Sequence, residues 1–109
     1  MKKFAEVLDN LPPVDHLQAI ELYRAEQHLD SIPNQPGKRG SLAVYHALLQ
    51  RFGQLDAEAA RAGLALFAEH AQDAERHPGK HPNIDRLQQV IAQDDCLQLR
   101  PIAQTGEQA

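Results

Sequence analysis

Two stretches constrain this chain more than any others: SIPNQPGKRG, residues 31–40, and HPGKHPN, residues 77–83. Each concentrates Pro, Gly and Asn, which fix φ, permit positive φ or remove a backbone donor, so each must be a loop. Each also leads straight into a helical pattern. After the first, Leu42, Tyr45, Leu48, Leu49 and Phe52 share one face, with Ser41 expected as N-cap and Gly53 as the stop. After the second, Ile84, Leu87, Val90 and Ile91 recur at helical spacing, with Asn83 expected as the cap. Between them, Asp56 is expected to cap one helix from Ala57 to about Arg76, with Leu64, Phe67, Ala68, Ala71 and Ala74 on its packing face.

The flanking segments complete the architecture. Phe4, Val7, Leu8 and Leu11 form the stripe of a short helix that Pro12 and Pro13 end. Residues 14–33 admit a helix with Leu17, Ile20 and Tyr23 on one face. They also admit two strands, 18–23 and 28–32, joined at Arg24-Ala25-Glu26-Gln27. The hairpin is preferred, although its turn lacks the Gly or Asn that supplies positive φ. CLQLRPI, residues 96–102, alternates apolar and polar residues and reads as a strand, with Pro101 at a sheet edge or strand end. The expected fold is α+β: a small antiparallel sheet, made of the hairpin and the C-terminal strand, packed against about four helices. Residues 1–104 are expected to form one domain, with a frayed tail at 105–109. Its main core is expected to comprise Leu42, Tyr45, Leu48, Phe52, Leu64, Phe67, Leu87 and Ile91.

Charge and cysteine content narrow the function classes. A net charge of −4 gives no general field toward nucleic acid or an anionic membrane, so neither is an expected partner. No apolar run reaches the ~20 residues of a membrane span, and MKKFAEVLDNLPP is no signal peptide, so the chain reads as cytoplasmic. Cys96 is alone, which precludes an internal disulfide and offers no metal framework. Asp94 and Asp95 beside it are expected to raise its pKa and disfavour a reactive thiolate.

The two loops also resemble each other. PGKRGSLAVYHALLQ from Pro36 and PGKHPNIDRLQQVIA from Pro78 align without gaps, so that Ser41 meets Asn83, Leu42 meets Ile84 and Tyr45 meets Leu87. Helix punctuation alone explains such a repeat, because every entry needs a turn, a cap and a core face. The functional alternative is that both helix starts converge on one phosphate or carboxylate. Lys38, Arg39, Lys80 and His81 would then supply charge, and Ser41 and Asn83 would lie near the free amides. Neither segment is a P-loop, because GxxxxGK[ST] is absent.

Six histidines raise metal and acid–base chemistry. Pro78 and Gly79 deny His77 and His81 the helical turn that would aim both at one ion, and a site from His46, His70, His77, His81 and Asp85 would need tertiary convergence. No GxSxG, CxxC, HExxH or dinucleotide-binding pattern occurs, so no catalytic residue, bound metal or cofactor is assigned. GSLAVYHALLQRFG, LALFAEHAQDA and HPGKHPNIDRL resemble a small family of bacterial proteins catalogued as a domain of unknown function, over about residues 14–102. The resemblance implies a bacterial cytoplasmic source and no activity. A non-catalytic interaction or regulatory module, with a protein partner or homodimer, is the favoured reading. The alternatives are a binder of small anions through the two PGK loops and a metal-dependent enzyme built on the histidines.

Overall fold

In the computed structural model, which describes residues 2–104, the segment 14–33 folds as the hairpin. The tail at 105–109 lies outside the described residues. Strand β1 (Leu17–Arg24) pairs antiparallel with β2 (Gln27–Pro33), placing Ile20 opposite Ile32 and Glu21 opposite Ser31. Alternation decides the outcome: Ile20 and Leu22 are fully buried against helices, while Glu21 and Tyr23 stand on the opposite face. At the turn Ala25 itself takes a positive φ of 55°. The C-terminal strand β3 (Gln98–Ala103) pairs antiparallel with β1, giving the sheet order β2-β1-β3. It starts later than expected because Leu97 pairs outside the sheet, exchanging backbone hydrogen bonds of 2.9 Å with Leu55.

Among the described residues five helices complete a mixed α+β fold: α1 (Phe4–Asp9), α2 (Arg39–Phe52), α3 (Ala57–Phe67), α4 (Glu69–Arg76) and α5 (Pro82–Gln93), with α2 packed on all three strands, α3 on α2 and α5 on α3. The expected continuous helix from Ala57 to Arg76 is broken in two. Ala68, at φ 56° and ψ −125°, turns the chain between α3 and α4 without a glycine or proline to signal it. The turn lets Glu69 Oε1 accept the Phe4 backbone N–H at 2.8 Å and brings Asp73 to the loop that enters α5.

Two expected caps are also corrected. Lys38, not Ser41, is the N-cap of α2, because the Gly37 turn (φ 85°) starts the helix early, with Leu42 N–H donating to Lys38 O at 3.0 Å. His81, not Asn83, is the N-cap of α5. Pro82 takes the first helical position, where its missing N–H would have been unpaired anyway. Asp56 does cap α3, its Oδ1 accepting Ala59 N–H at 2.9 Å, and Gly53 ends α2 at φ 79°.

One hydrophobic core joins sheet and helices. Leu42, Tyr45, Leu48, Phe67 and Leu87 are buried as expected, whereas Phe52, Leu64 and Ile91 are half-buried at its margin. Ile20, Leu22, Ile32 and Leu99 complete it from the sheet, and Leu55 and Leu97 from the isolated bridge that they form outside it. Helices α2 and α5 meet α3 closely at Gly63, where an added Cβ would lie 2.9 Å from Leu48 Cδ1 and 2.8 Å from Leu87 Cδ1.

Candidate functional site

Four layers of the fold frame one cleft of about 690 Å³. The start of α2 contributes Lys38, Arg39, Gly40 and Ser41, and the start of α5 contributes Lys80, His81, Pro82 and Asn83. Asp30, Ser31 and Ile32 of β2 form a third wall, and Phe4, Leu8, Phe67 and His70 close the apolar end. All six residues singled out as anion-binding in the sequence, Lys38, Arg39, Ser41, Lys80, His81 and Asn83, therefore line a single cavity. Ser41 and Asn83 reach it from within the first helical turns, as the third and second residues of their helices, rather than as caps.

The walls are locked by a polar network reaching across the fold. The buried Tyr45 hydroxyl donates to Asn83 O at 2.6 Å and accepts from Arg86 at 3.2 Å. Burial pushes the Tyr45 phenol up to about 12, against the opposing pull of Arg86. Arg86 also donates to Asn83 Oδ1 at 2.7 Å and pairs with Asp30, so β2, α2 and α5 are tied together at the cleft. On the α2 side, Asn34 Nδ2 donates to Val14 O and Leu17 O at 3.0 and 2.8 Å, and its Oδ1 accepts from Arg39 Nε at 2.8 Å. The Phe4 ring stacks on Phe67 with centroids 5.5 Å apart and meets His70 edge-on at 5.0 Å. Gly40 makes room for it, since a Cβ there would stand 3.0 Å from the ring.

Charge in the cleft is unevenly compensated. Lys80 Nζ lies 3.0 Å from Asp73 Oδ2, and His81 Nε2 lies 2.6 Å from the same oxygen. Those hydrogen bonds, from His81 first and Lys80 second, hold the Asp73 carboxyl down at about 2. Asp30 is balanced by Arg86. Among the described residues Lys38 and Arg39 have no ion-pair partner, so the start of α2 presents two unneutralised cations.

The histidines divide into separate groups. His70 and His81 face each other across 5.7 Å, and His77 lies 3.8 Å from Asp73. His46 is instead buried elsewhere, edge-on to His16 at 5.4 Å. The five-residue metal set considered from sequence is thus not assembled, and among the described residues no three His, Cys, Asp or Glu side chains are grouped to hold an ion. Burial first, then Asp56 and Asp95, raise the Cys96 thiol pKa, so the neighbouring Asp94 is not among the causes. Asp73 and Arg86 went unnoticed in the sequence, and Tyr45 was read there as a core residue without the role of its hydroxyl. The spacings Asp73 to His77 and Asn83 to Arg86 hint locally at two of these pairs, but nothing local reveals that Tyr45 reaches α5.

No helix among the described residues is long and apolar enough to cross a membrane. The family model described as "Uncharacterized protein conserved in bacteria (DUF2322)" matches residues 4–101. No curated protein and no solved structure matches the chain.

Proposed function

We propose that this chain, which belongs to that uncharacterized bacterial family, recognises a small anionic ligand in the cleft between the starts of α2 and α5. The observation that carries the reading is the pair of unneutralised cations, Lys38 and Arg39, lining a cavity of about 690 Å³ in a chain of net charge −4. Backbone N–H groups in the first turn of α2 add donors, α5 adds fewer because Pro82 has none and Ile84 N–H is taken by His81 O at 3.0 Å, and both helices contribute the positive ends of their dipoles. Lys80 is a lesser contributor, because Asp73 already neutralises it. The apolar end at Phe4, Leu8 and Phe67 suits a ligand that carries a phosphate or carboxylate on an apolar or planar body.

The interaction-module reading draws on a different surface, the sheet face away from the helices. There Arg100 lies over the Tyr23 ring at 4.3 Å, and His28 and Ser31 hydrogen-bond to Glu21. These groups satisfy one another, whereas Lys38 and Arg39 have no carboxylate partner among the described residues, so the cleft is the stronger basis for function.

A thermal-shift and calorimetric screen of inorganic phosphate, phosphorylated metabolites and aryl carboxylates tests the proposal. Binding is expected to weaken as salt shortens the Debye length below ~10 Å. It is expected to vanish in the Lys38→Ala, Arg39→Ala double variant while the circular dichroism spectrum stays unchanged. A double variant that binds like the original protein refutes the assignment.

A further inference from the structure

Two imidazoles in the cleft offer more than charge. His81 Nε2 lies 2.6 Å from Asp73 Oδ2, an acceptor that holds a proton on Nε2, so that in the neutral ring Nδ1 carries the lone pair. The His70 ring stands 5.7 Å from the His81 ring, and both line the cavity that holds Lys38 and Arg39. His70 is set in place by an unusual backbone, since Ala68 two residues earlier occupies φ 56° and ψ −125°. Such outliers in non-glycine residues concentrate at functional sites.

We propose that the cleft is an acid–base catalytic site for hydrolysing a phosphodiester, with His81 as general base, Asp73 as its positioning residue and His70 as general acid. The proposal rests on the anion-recognition reading above. A diester fits this apparatus better than a monoester. Monoester cleavage passes through a loose transition state in which deprotonating the nucleophile gains little. Diester cleavage calls for a base on the attacking oxygen, an acid on the leaving oxygen and cations on the non-bridging oxygens, where Lys38 and Arg39 serve. In the step, water's oxygen bonds to phosphorus as His81 Nδ1 accepts its proton. The P–O bond to the alcohol breaks with its electron pair staying on oxygen, which takes a proton from the His70 imidazolium. Proton exchange with solvent then restores both rings.

Methyl p-nitrophenyl phosphate and methyl phenyl phosphate test this, with binding read by thermal shift and turnover by released phenol. The protein is expected to bind and hydrolyse both. His81→Ala should lose roughly 10²–10⁴-fold in kcat on each ester. His70→Ala should lose that much on the phenyl ester and far less on the p-nitrophenyl ester, whose leaving group departs without a proton. Asp73→Asn should lower kcat without raising KM, because the freed Lys80 still serves the anion. Where His81→Ala fails to fold, His81→Gln carries the same expectation. Binding of either ester without turnover, or equal losses in His70→Ala on both, overturns the catalytic proposal and leaves anion recognition standing. If the esters, inorganic phosphate and the aryl carboxylates all fail to bind, both readings fall.

Discussion

Replacing Ala68 by glycine is expected to stabilise the protein, the reverse of the usual effect of putting glycine inside a stretch of helical sequence. Ala68 joins α3 to α4 at φ 56° and ψ −125°, where a Cβ is disfavoured and glycine is at ease. Holding a non-glycine residue in such a region costs about 1–3 kcal/mol. Glycine gives back roughly 0.4–1 kcal/mol through the greater freedom of the unfolded chain. The net gain is therefore about 0.5–2 kcal/mol, or a rise of roughly 2–10 °C in Tm for a domain near this size. Urea denaturation gives the free energy directly, with an unchanged m-value showing that unfolding exposes the same surface. The same variant should bind ligand more weakly, because the junction aims Phe67 and His70 into the cleft. A variant less stable than the original would refute the strain argument, since Ala68 is only half-buried and the loss of its methyl is a smaller effect than the relief of the backbone.

Gly63→Ala is expected to destabilise by about 0.5–2 kcal/mol, measured by urea melts. The added methyl would sit under 3 Å from Leu48 and Leu87, both fully buried, and overpacking of ~1–3 kcal/mol outweighs a helix-propensity gain of ~1 kcal/mol. His46 should make stability fall in mild acid: burial first, then His16, lowers its pKa below 6.5, and its Nδ1 has no hydrogen-bond partner. The unfolded chain then binds more protons at this site than the folded one. The contribution is complete above pH 6.5 and is lost as pH falls from there toward the lowered folded value. Tm measured against pH should show this slope, and His46→Leu should flatten it.

Much of the fold is legible because its determinants are local. Apolar residues at helical spacing place α2 and α5 around Leu42, Tyr45 and Leu48 and around Ile84, Leu87 and Val90, and all six are buried. The hairpin follows from alternation around Ile20 and Leu22, although Ala25 has to accept the positive φ that a glycine would normally take. Ala68 is the opposite case. AEAARAGLALFAEHAQDAER reads as continuous helix at every position, and the break within it is a tertiary override. Burying Phe67, ordering α1 through Glu69 and bringing Asp73 to Lys80 and His81 all require α4 to leave the line of α3.

The candidate site was legible as composition but not as geometry. The repeated Pro-Gly-Lys entries named Lys38, Arg39, Lys80 and His81, because a helix start with a nearby cation is a local feature. That the two starts face each other depends on Tyr45, which is buried from α2 and holds Asn83 O at 2.6 Å, so a core aromatic sets the distance between two surface loops. Charge shows the same division. The sequence counts Lys38 and Lys80 as equals, yet Asp73 lies on a helix whose direction only the Ala68 turn sets, and it neutralises one lysine and not the other. The cleft therefore acquires a polarity that the symmetric repeat does not contain: bare cations at α2, and an Asp-oriented imidazole facing a second imidazole at α5. A symmetric pair of lysines would only bind an anion. On the proposed reading, the asymmetry would give one side of a bound phosphate electrostatic restraint and the other side proton donors and acceptors, the division that general acid–base chemistry at phosphorus uses.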